Sequence, residues 1–310
     1  MAEPRGYAML DCGDGRRLES FGSWLTDRPA PAAGERRRSP GLWTGASVYR
    51  GGVGWQGPDR ESIGALAVPV EIAGVTMEAR PSLSGNVGLF PEHAANADWL
   101  ADAIRARRAQ PDIAAPGPAS AVLPDLASGH YPTPPEILNL FAYTGLMTLV
   151  AARAGAGVTH VDASRPSVAW ARQNAALSGL ARSPVRWLVD DALAFVLREV
   201  RRGRRYAGLI VDPPSYGHGT RGDRTAWRFD DRIDELLAAC AEVVEPDGFW
   251  LLTTHTPGWD PERLARTLAD PARVMPAAVE GFELGLVAES GASLELGAAA
   301  CLDPIGHEGG

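Results

Sequence analysis

The segment Asp212-Pro-Pro-Ser-Tyr216 carries the residue types best suited to hold a reacting group. Two consecutive prolines cannot continue a sheet ladder, so they fix an extended turn at the end of a strand. We expect that turn to direct the Asp212 carboxylate and the Pro213 carbonyl into a crevice, where two acceptors can hold an amino group. Tyr216 can stack on a planar substrate, a contact that contributes about 1–3 kcal/mol for a nucleobase. A structural Asp-Pro turn is the alternative.

Further titratable and basic side chains follow in sequence. Asp212, His218 and His255 are the groups at this edge that could take a proton from an acceptor, and histidine can act as a base near neutral pH. His255 can equally be a structural histidine. The predicted catalytic residues are Asp212, Pro213, Tyr216 and His255. The predicted substrate contacts are Ser215, His218, Arg221 and Arg224, of which the arginines would meet a phosphate or an acidic group.

A second group of candidates lies at three successive predicted strand ends, where open α/β sheets bind ligands. Gly145 closes the first and lets the backbone approach a ligand with no Cβ in the way. Asp162 closes the second, where an acidic residue commonly binds a ribose diol, and Asp191 follows the third, where a carboxylate can accept from an adenine amino group. Each alone can be a turn or a helix cap, but their joint occurrence favours a ligand site. The predicted cofactor contacts are Asn139, Phe141, Tyr143, Thr144, Gly145, Asp162, Ala163, Ser164, Asp191 and Ala192.

The glycine pattern of a dinucleotide dehydrogenase is absent from the first of these strand ends. Such proteins carry G-x-G-x-x-G there, whereas Leu-Met-Thr-Leu-Val-Ala follows Gly145. A nicotinamide cofactor is therefore disfavoured.

Strands alternate with helices from Ile137 onward, which predicts right-handed crossovers and a parallel sheet covered on both faces. The predicted strands are Ile137–Ala142, Val158–Asp162, Val185–Val189, Tyr206–Asp212 and Gly248–Thr254. The predicted helices lie near Glu92–Arg107, Leu146–Ala154, Arg165–Ser178, Ala192–Arg201, Asp231–Val244 and Asp260–Leu268. Phe282–Ala288 and Ser293–Cys301 resemble a closing antiparallel hairpin. The predicted fold class is α/β, with a Rossmann-like sheet.

The N-terminal part has the character of short strands. An Asp-Gly pair within Tyr7–Gly15 predicts a hairpin, and an Ala-Gly pair separates the strand patterns Leu66–Ile72 and Val75–Arg80. We therefore predict an N-terminal extension and small β-rich lobe over residues 1–82, followed by the main domain over residues 83–310.

Composition limits the partners. The 310 residues carry a net charge of −8, which argues against broad nonspecific binding to nucleic acid but leaves room for a local basic face. The three cysteines are far apart in sequence, so neither a metal knuckle nor a disulfide framework is expected. No stretch approaches about eighteen uninterrupted apolar residues, and the N-terminus lacks a signal-peptide pattern. A cytoplasmic location without membrane contact is the expectation, and the oligomeric state is left open.

Several of these segments together resemble a known family. They are Leu140-Phe-Ala-Tyr-Thr-Gly145, Val161-Asp-Ala-Ser164, Trp170-Ala-Arg-Gln-Asn174, Asp190-Asp-Ala192 and Asp212-Pro-Pro-Ser-Tyr-Gly217, with Gly88-Leu-Phe-Pro-Glu-His93 upstream and Tyr7–Gly22 at the N-terminus. The sequence is similar to class I S-adenosylmethionine (SAM)-dependent methyltransferases related to the large-subunit rRNA cytosine-C5 methyltransferases, in a bacterial subgroup without a separate RNA-binding module. The resemblance implies a class I methyltransferase sheet, SAM as cofactor and RNA as substrate.

Two departures from that family bear on the chemistry. Leu146 stands where the family often has a second glycine, and this change is expected to reshape the pocket wall. Transfer to cytosine C5 needs a cysteine nucleophile, which the resemblance places after the fifth strand, yet Leu252-Thr-Thr-His-Thr-Pro-Gly258 contains none. Ser215 occupies the alternative position, and Cys240 falls in a predicted helix. We therefore expect direct in-line transfer to nitrogen or oxygen, with a small-molecule N- or O-methyltransferase and a noncatalytic SAM-fold scaffold as the alternatives.

Overall fold

The computed structural model describes residues 6–57, 66–109, 133–217 and 227–305. Three of the predicted substrate contacts, His218, Arg221 and Arg224, lie outside the described residues. No helix within these ranges is long and apolar enough to cross a membrane.

Two sheets form the N-terminal part. The strands of the first, in spatial order, are β1 (Tyr7–Gly13), β2 (Arg16–Phe21), β3 (Trp24–Pro29), β4 (Ser47–Arg50) and β5 (Gly54–Gln56). The second is the hairpin of β6 (Val68–Ile72) and β7 (Val75–Ala79). Both predicted hairpins are confirmed, because Asp14-Gly15 and Ala73-Gly74 supply the positive φ angles that such tight turns require.

A seven-stranded sheet forms the centre of the molecule. Its strands are β8 (Glu136–Leu140), β9 (Gly157–Asp162), β10 (Val185–Val189), β11 (Tyr206–Val211), β12 (Val244–Thr254), β13 (Glu280–Val287) and β14 (Ser293–Leu302). The spatial order is β10-β9-β8-β11-β12-β14-β13, with β8 to β12 parallel and the last two antiparallel. The strand order reverses between β8 and β11, which is where a doubly wound sheet opens its ligand crevice. The predicted parallel sheet and closing hairpin are confirmed.

Six α-helices connect the described strands or precede them. They are α1 (Ala97–Ala109), α2 (Leu146–Arg153), α3 (Arg165–Leu177), α4 (Ala192–Arg201), α5 (Phe229–Ala241) and α6 (Pro261–Ala272), and short 3₁₀ segments lie at Pro40–Trp43, Pro91–Asn96 and Pro276–Ala278. The expected cap of α3 is confirmed, since Ser164 Oγ accepts from the Ser167 N–H at 3.3 Å.

Several predicted boundaries are wrong. The fifth parallel strand begins at Val244 and not at Gly248, and the helix before it ends at Ala241 and not at Val244. Two further boundaries are wrong for a local reason. The helix predicted over Glu92–Arg107 is a 3₁₀ segment followed by α1, because Glu92 and His93 turn inward and are buried where an amphipathic helix would expose polar residues. The first sheet strand ends at Leu140 and not at Ala142, because Phe141 has a φ of +55° that a strand cannot contain.

The N-terminal strands pack on the central sheet through a shared apolar core, to which Phe21, Met77 and Ile137 belong. The division predicted at residue 82 stays a prediction.

The chain's first strand also bonds to its last hairpin, since the backbone N–H groups of Glu289 and Ser290 donate to the carbonyls of Met9 and Leu10 at 2.9 and 3.1 Å. The Ser290 hydroxyl adds a hydrogen bond to the buried Asp11 carboxylate at 2.8 Å.

Candidate active site

The loop between β8 and α2 turns sharply at three positions. Phe141 and Tyr143 have φ angles of +55° and +48°, and Gly145 has a φ of +91°. Residues other than glycine rarely adopt this backbone conformation. It costs about 1–3 kcal/mol per residue and persists where the surrounding structure enforces it. The Asp162 carboxylate provides part of that enforcement, because its Oδ2 accepts from the Tyr143 N–H at 2.8 Å.

Asp162 also orders the next turn of the crevice edge. Its Oδ1 accepts from the Ser164 N–H at 2.8 Å, so one carboxylate shapes the ends of both β8 and β9. The predicted contact of Asp162 with a ribose diol stays a prediction. Ala163 lies between Asp162 and Ser164, on the same turn.

Buried polar side chains in the loop and in the elements on either side of it support its conformation. The Asn139 amide donates to Thr148 Oγ1 at 2.8 Å, and Thr148 lies 2.9 Å from His160 Nδ1. The Thr144 hydroxyl donates to the Gly88 carbonyl. Asn139 and Thr144 are both almost fully buried. We therefore assign these two side chains to supporting the loop, although both border the crevice.

A cleft of about 470 Å³, counting the part open to solvent, lies in front of this loop. The cleft is bordered by the residues Leu89, Phe90, His93, Asn139, Phe141, Ala142, Tyr143, Thr144, Gly145, Leu146, Met147, Ile210, Asp212, Leu251 and Thr253. Five of the ten predicted cofactor contacts and Asp212 thus meet at one cavity between β8 and β11.

The other five predicted cofactor contacts lie farther along the sheet edge, outside this cleft. Asp162 is the last residue of β9, and Ala163 and Ser164 follow it, whereas Asp191 and Ala192 follow β10. Asp191 is exposed and caps α4, because its Oδ1 accepts from the Ala194 N–H at 2.8 Å. The helix-cap alternative is thus realised for Asp191, and a role toward adenine stays a prediction that would use the second carboxylate oxygen.

Asp212 is the charged group at the floor of the cleft. Its Oδ1 accepts from the Thr253 hydroxyl at 2.6 Å, and its Oδ2 lies 3.1 Å from His93 Nε2. Burial alone would raise the pKa of Asp212, but His93, then His255 and Thr253, outweigh it and hold that pKa well below its usual range. Burial would likewise depress the pKa of His93, yet Asp212 and Glu92 raise it. The Asp212 carboxylate is therefore ionised at neutral pH.

His255 lies beside this pair. Its Nδ1 is 3.0 Å from the Leu296 carbonyl, which can accept only if Nδ1 carries the proton, and its Nε2 is 3.9 Å from Glu92 Oε1. The His255 and His93 rings meet edge to face with centroids 5.5 Å apart. The structure thus brings predicted His255 to Asp212 but adds His93, Glu92 and Thr253, which our sequence reasoning missed. The sequence did contain a signal for Glu92 and His93, since these two residues end the upstream segment that resembles the family.

The residues that follow Asp212 in the double-proline segment do not border the cleft. Pro213 is buried, and Ser215 Oγ accepts from the Thr256 hydroxyl at 3.1 Å. The stacking of Tyr216 on a planar substrate stays a prediction, and its ring is 67% exposed and outside the cleft. The cause is a backbone bridge between Tyr216 and Arg228, which places the Arg228 guanidinium 5.6 Å from the Tyr216 ring.

Trp227 packs between the double-proline segment and Phe141. Its indole N–H donates to the Pro214 carbonyl at 2.7 Å, and its ring lies 4.9 Å from that of Phe141. On the opposite side, the ring of Tyr143 lies 5.5 Å from that of Phe90. Burial, then the nearby Asp162, raises the pKa of Tyr143 to about 12, so this phenol stays protonated.

The cysteines do not take part in this arrangement. All three are buried, and none borders the cleft. Burial raises the pKa of each thiol, to about 12 for Cys301, so thiolate is scarce at neutral pH. Direct transfer without a cysteine nucleophile stays a prediction.

Comparison with solved structures identifies the family. No protein-family model matches the chain. A crystal structure of the SAM-dependent methyltransferase from Agrobacterium tumefaciens is 30% identical, with 96% of this chain and 90% of that chain covered and a TM-score of 0.78. The chain belongs to the SAM-dependent methyltransferases. A Streptococcus mutans structure, described as a candidate member of the same family, matches at a TM-score of 0.64 with 13% identity over 97% of this chain and 75% of that chain, and this likeness shows the fold alone.

Curated relatives carry the name of rRNA enzymes. The ribosomal RNA large subunit methyltransferase K/L of Methylococcus capsulatus is 36% identical over 123 residues, and that of Shewanella frigidimarina is 31% identical over 114 residues. These matches cover 39% and 36% of this methyltransferase, which spans only 16% of either relative. The resemblance to large-subunit rRNA methyltransferases is thus confirmed in part, while the cytosine-C5 branch is not confirmed.

Proposed function

We propose that the protein transfers a methyl group from SAM to a nitrogen or oxygen atom of an RNA nucleotide by direct in-line transfer. The observation that carries this proposal is the ionised Asp212 carboxylate at the floor of the cleft, fixed by Thr253 and His93, with no thiol beside it. The rRNA methyltransferase relatives support RNA as the substrate and a cytoplasmic place of action.

The groups that border the cleft suit SAM in chemistry. Its backbone loop at Phe141–Gly145 is turned so that no Cβ projects at Gly145, and Asp162 stands at the neighbouring strand end. Phe141, Tyr143 and Gly145 would hold the cofactor at the cleft, with Asp162 at its ribose. SAM supplies an activated methyl group on a positively charged sulfur.

The residues of the chain position the acceptor. Asp212 can accept a hydrogen bond from an acceptor N–H or O–H while Thr253 keeps the carboxylate from rotating. Pro213 follows Asp212 directly, and its carbonyl can accept a second hydrogen bond from the same group. Holding the acceptor in line with the donor removes most of the entropic barrier, since alignment alone can contribute about 7–11 kcal/mol. The proton displaced from the acceptor can pass to His255 Nε2, which has no hydrogen-bond partner among the described residues.

The test is incubation with radiolabelled SAM and either total RNA or a metabolite extract. We expect nuclease-sensitive label in the RNA, and nucleoside analysis should place the methyl group on nitrogen or oxygen. Phosphate contacts should make RNA binding fall steeply with salt. Asp212→Asn is expected to lower turnover by about 100-fold or more, whereas Asp234→Asn, on the exposed face of α5, is the matched control.

Each alternative has its own outcome in this experiment. Label found only in the metabolite extract would establish a small-molecule methyltransferase. SAM binding without transfer to either fraction would support a noncatalytic scaffold. A product methylated at cytosine C5 would contradict the in-line mechanism.

A further inference from the structure

We propose that His93, Asp212 and His255 form a binding site for one divalent transition-metal ion such as Zn²⁺. The inference goes beyond the methyl transfer proposed above and does not depend on which acceptor is used. With the ion bound, His255 Nε2 is a ligand, and the acceptor proton leaves to solvent and not to that nitrogen. Among the described residues, these three are the group of histidine, cysteine or carboxylate side chains placed to share an ion, with one ligand atom from each lying within 4.8 Å of the others.

The spacing of the ligand atoms suits a metal ion. Bonds from imidazole nitrogen and carboxylate oxygen to Zn²⁺ are about 2.0–2.2 Å long, which sets neighbouring ligands about 3–3.5 Å apart. His93 Nε2 and Asp212 Oδ2 are 3.1 Å apart, but the imidazole is not aligned for a hydrogen bond to that oxygen. The ligand atom of His255 lies within 4.8 Å of the other two, so a small shift of the side chains would complete the site.

Two of the ligand atoms lack a hydrogen bond of good geometry among the described residues, although His93 makes a charged contact with Asp212. The His93 side chain is only 8% exposed and its Nε2 has no hydrogen-bond partner, and His255 Nε2 likewise has none. Leaving a buried donor or acceptor without a partner costs about 1–3 kcal/mol. A shared ion would satisfy both nitrogens together.

The surrounding groups orient the ligands as outer partners do in known metal sites. Metal-binding histidines usually donate their other ring N–H to a carbonyl or carboxylate, and ligating carboxylates are themselves hydrogen-bonded. His255 Nδ1 has the Leu296 carbonyl at 3.0 Å, and Asp212 Oδ1 has the Thr253 hydroxyl at 2.6 Å. His255 is thereby set in the tautomer whose Nε2 can bind a metal. The buried Glu92 carboxylate, 3.9 Å from that nitrogen, adds negative charge nearby.

The chemistry of the ligands selects the ion. Imidazole favours Zn²⁺ and its first-row neighbours, whereas Mg²⁺ and Ca²⁺ prefer sites built from oxygen. Three protein ligands leave at least one coordination position open. His93 and Asp212 border the cleft, so that position can receive a water molecule or an oxygen of the acceptor, whose proton an ion makes easier to remove. Asp212 Oδ1 keeps a free acceptor position for the acceptor in either case.

The experiment uses the full-length protein, freed of metal by a chelator and of any affinity tag, and titrates it with Co²⁺. We expect one Co²⁺ per chain, visible d–d absorption typical of nitrogen and oxygen ligands, and bleaching of that absorption by Zn²⁺. X-ray absorption spectroscopy should count two imidazoles. His93→Gln and His255→Gln should each weaken Co²⁺ binding by about 100-fold or more, whereas His160→Gln, which changes a buried histidine outside the group, should retain it.

Several results would overturn the inference. They are absence of stoichiometric Co²⁺ binding by the wild-type protein, an unchanged spectrum in both histidine variants, or displacement of Co²⁺ by equimolar Mg²⁺. The wild-type titration decides the matter even if a variant fails to fold. Methyl transfer is measured separately, so RNA methylation without Co²⁺ binding would remove this inference and leave the proposed function in place.

Discussion

Gly145 stands where β8 turns into α2, and its conformation leaves little freedom for another residue. Its φ is +91°, and a Cβ there would lie 3.1 Å from the Ala171 Cβ. Gly145→Ala should therefore destabilise the fold by about 1–2 kcal/mol from the left-handed conformation alone. The shifted loop should also weaken SAM binding by roughly tenfold, about 1.4 kcal/mol. Gly179→Ala is the matched control, since Gly179 has a φ of +72° but open space around it. Denaturant unfolding and SAM titration check the pair, and equal SAM affinity in both variants would contradict a cofactor role for this loop.

Substitution of Asp162 provides a second test of the proposed SAM site. Asp162→Ala removes the acceptor of the Tyr143 and Ser164 N–H groups together with the predicted ribose contact. We expect SAM affinity to fall by at least about tenfold, which calorimetry can measure. Ser167→Ala changes the same edge without touching the carboxylate and is the comparison. Unchanged affinity in Asp162→Ala would mean that the ribose lies elsewhere.

Individual site residues were only partly predictable. Asp162 and Asp212 could be found because each closes a strand, and strand ends of a parallel sheet lie together. His93 comes from a segment more than a hundred residues before Asp212, so only the fold brings the two within 3.1 Å. The outward position of Tyr216 depends on its backbone bridge to Arg228, a pairing that no local pattern encodes.

Among the secondary-structure elements, β9 is joined to α2 by a buried polar contact with a measurable pH dependence. Burial, then the charge of Arg172, lowers the pKa of His160 to about 3. Between about pH 6.5 and pH 3 the unfolded chain binds a proton at this residue that the folded chain does not. Stability should therefore be greatest above pH 6.5 and fall as the pH drops toward 3.

The prediction is checked by denaturant unfolding at pH 7.5 and pH 5 in the wild type and in His160→Asn. Asn can still pair with the Thr148 hydroxyl, which lies 2.9 Å from His160 Nδ1, but it does not titrate. The variant should lose less stability between the two pH values than the wild type. An identical pH dependence in the two proteins would show that His160 takes up a proton in the folded protein as readily as in the unfolded chain.

The order of strands and helices could be predicted because hydrophobic patterns change between the two periods along the chain. The ends of elements could not be predicted equally well. β8 stops where Phe141 takes a left-handed conformation that its residue type does not announce. The 3₁₀ segment at Pro91–Asn96 exists because Glu92 and His93 are drawn into the site, and that is a consequence of tertiary packing.

Across the whole molecule, a buried charge cluster underlies the N-terminal sheet. Glu19 is fully buried and accepts from Arg28 Nε at 2.8 Å and from the Tyr7 hydroxyl at 3.1 Å. Glu19→Gln leaves the buried Arg28 without its counter-charge, and removing one partner of such a pair costs about 3–5 kcal/mol. Glu262→Gln breaks an exposed pair with Arg266 and should cost about 0.5 kcal/mol or less. Denaturant unfolding measures both, and similar small losses would mean that water reaches the Glu19 cluster.

The bonds between β1 and the β13–β14 turn also bear on how the protein is made. Asp11 and its partner Ser290 are 279 residues apart in the chain. A ribosome adding about 5–20 residues per second would complete Ser290 roughly 14–56 s after Asp11, a separation of 279 residues. Throughout that interval the edge of β1 has no final hairpin to bond to, and unpaired strand edges invite association with other chains. The β1 edge is therefore made well before the turn that bonds to it, and it can associate with other chains until that turn is complete.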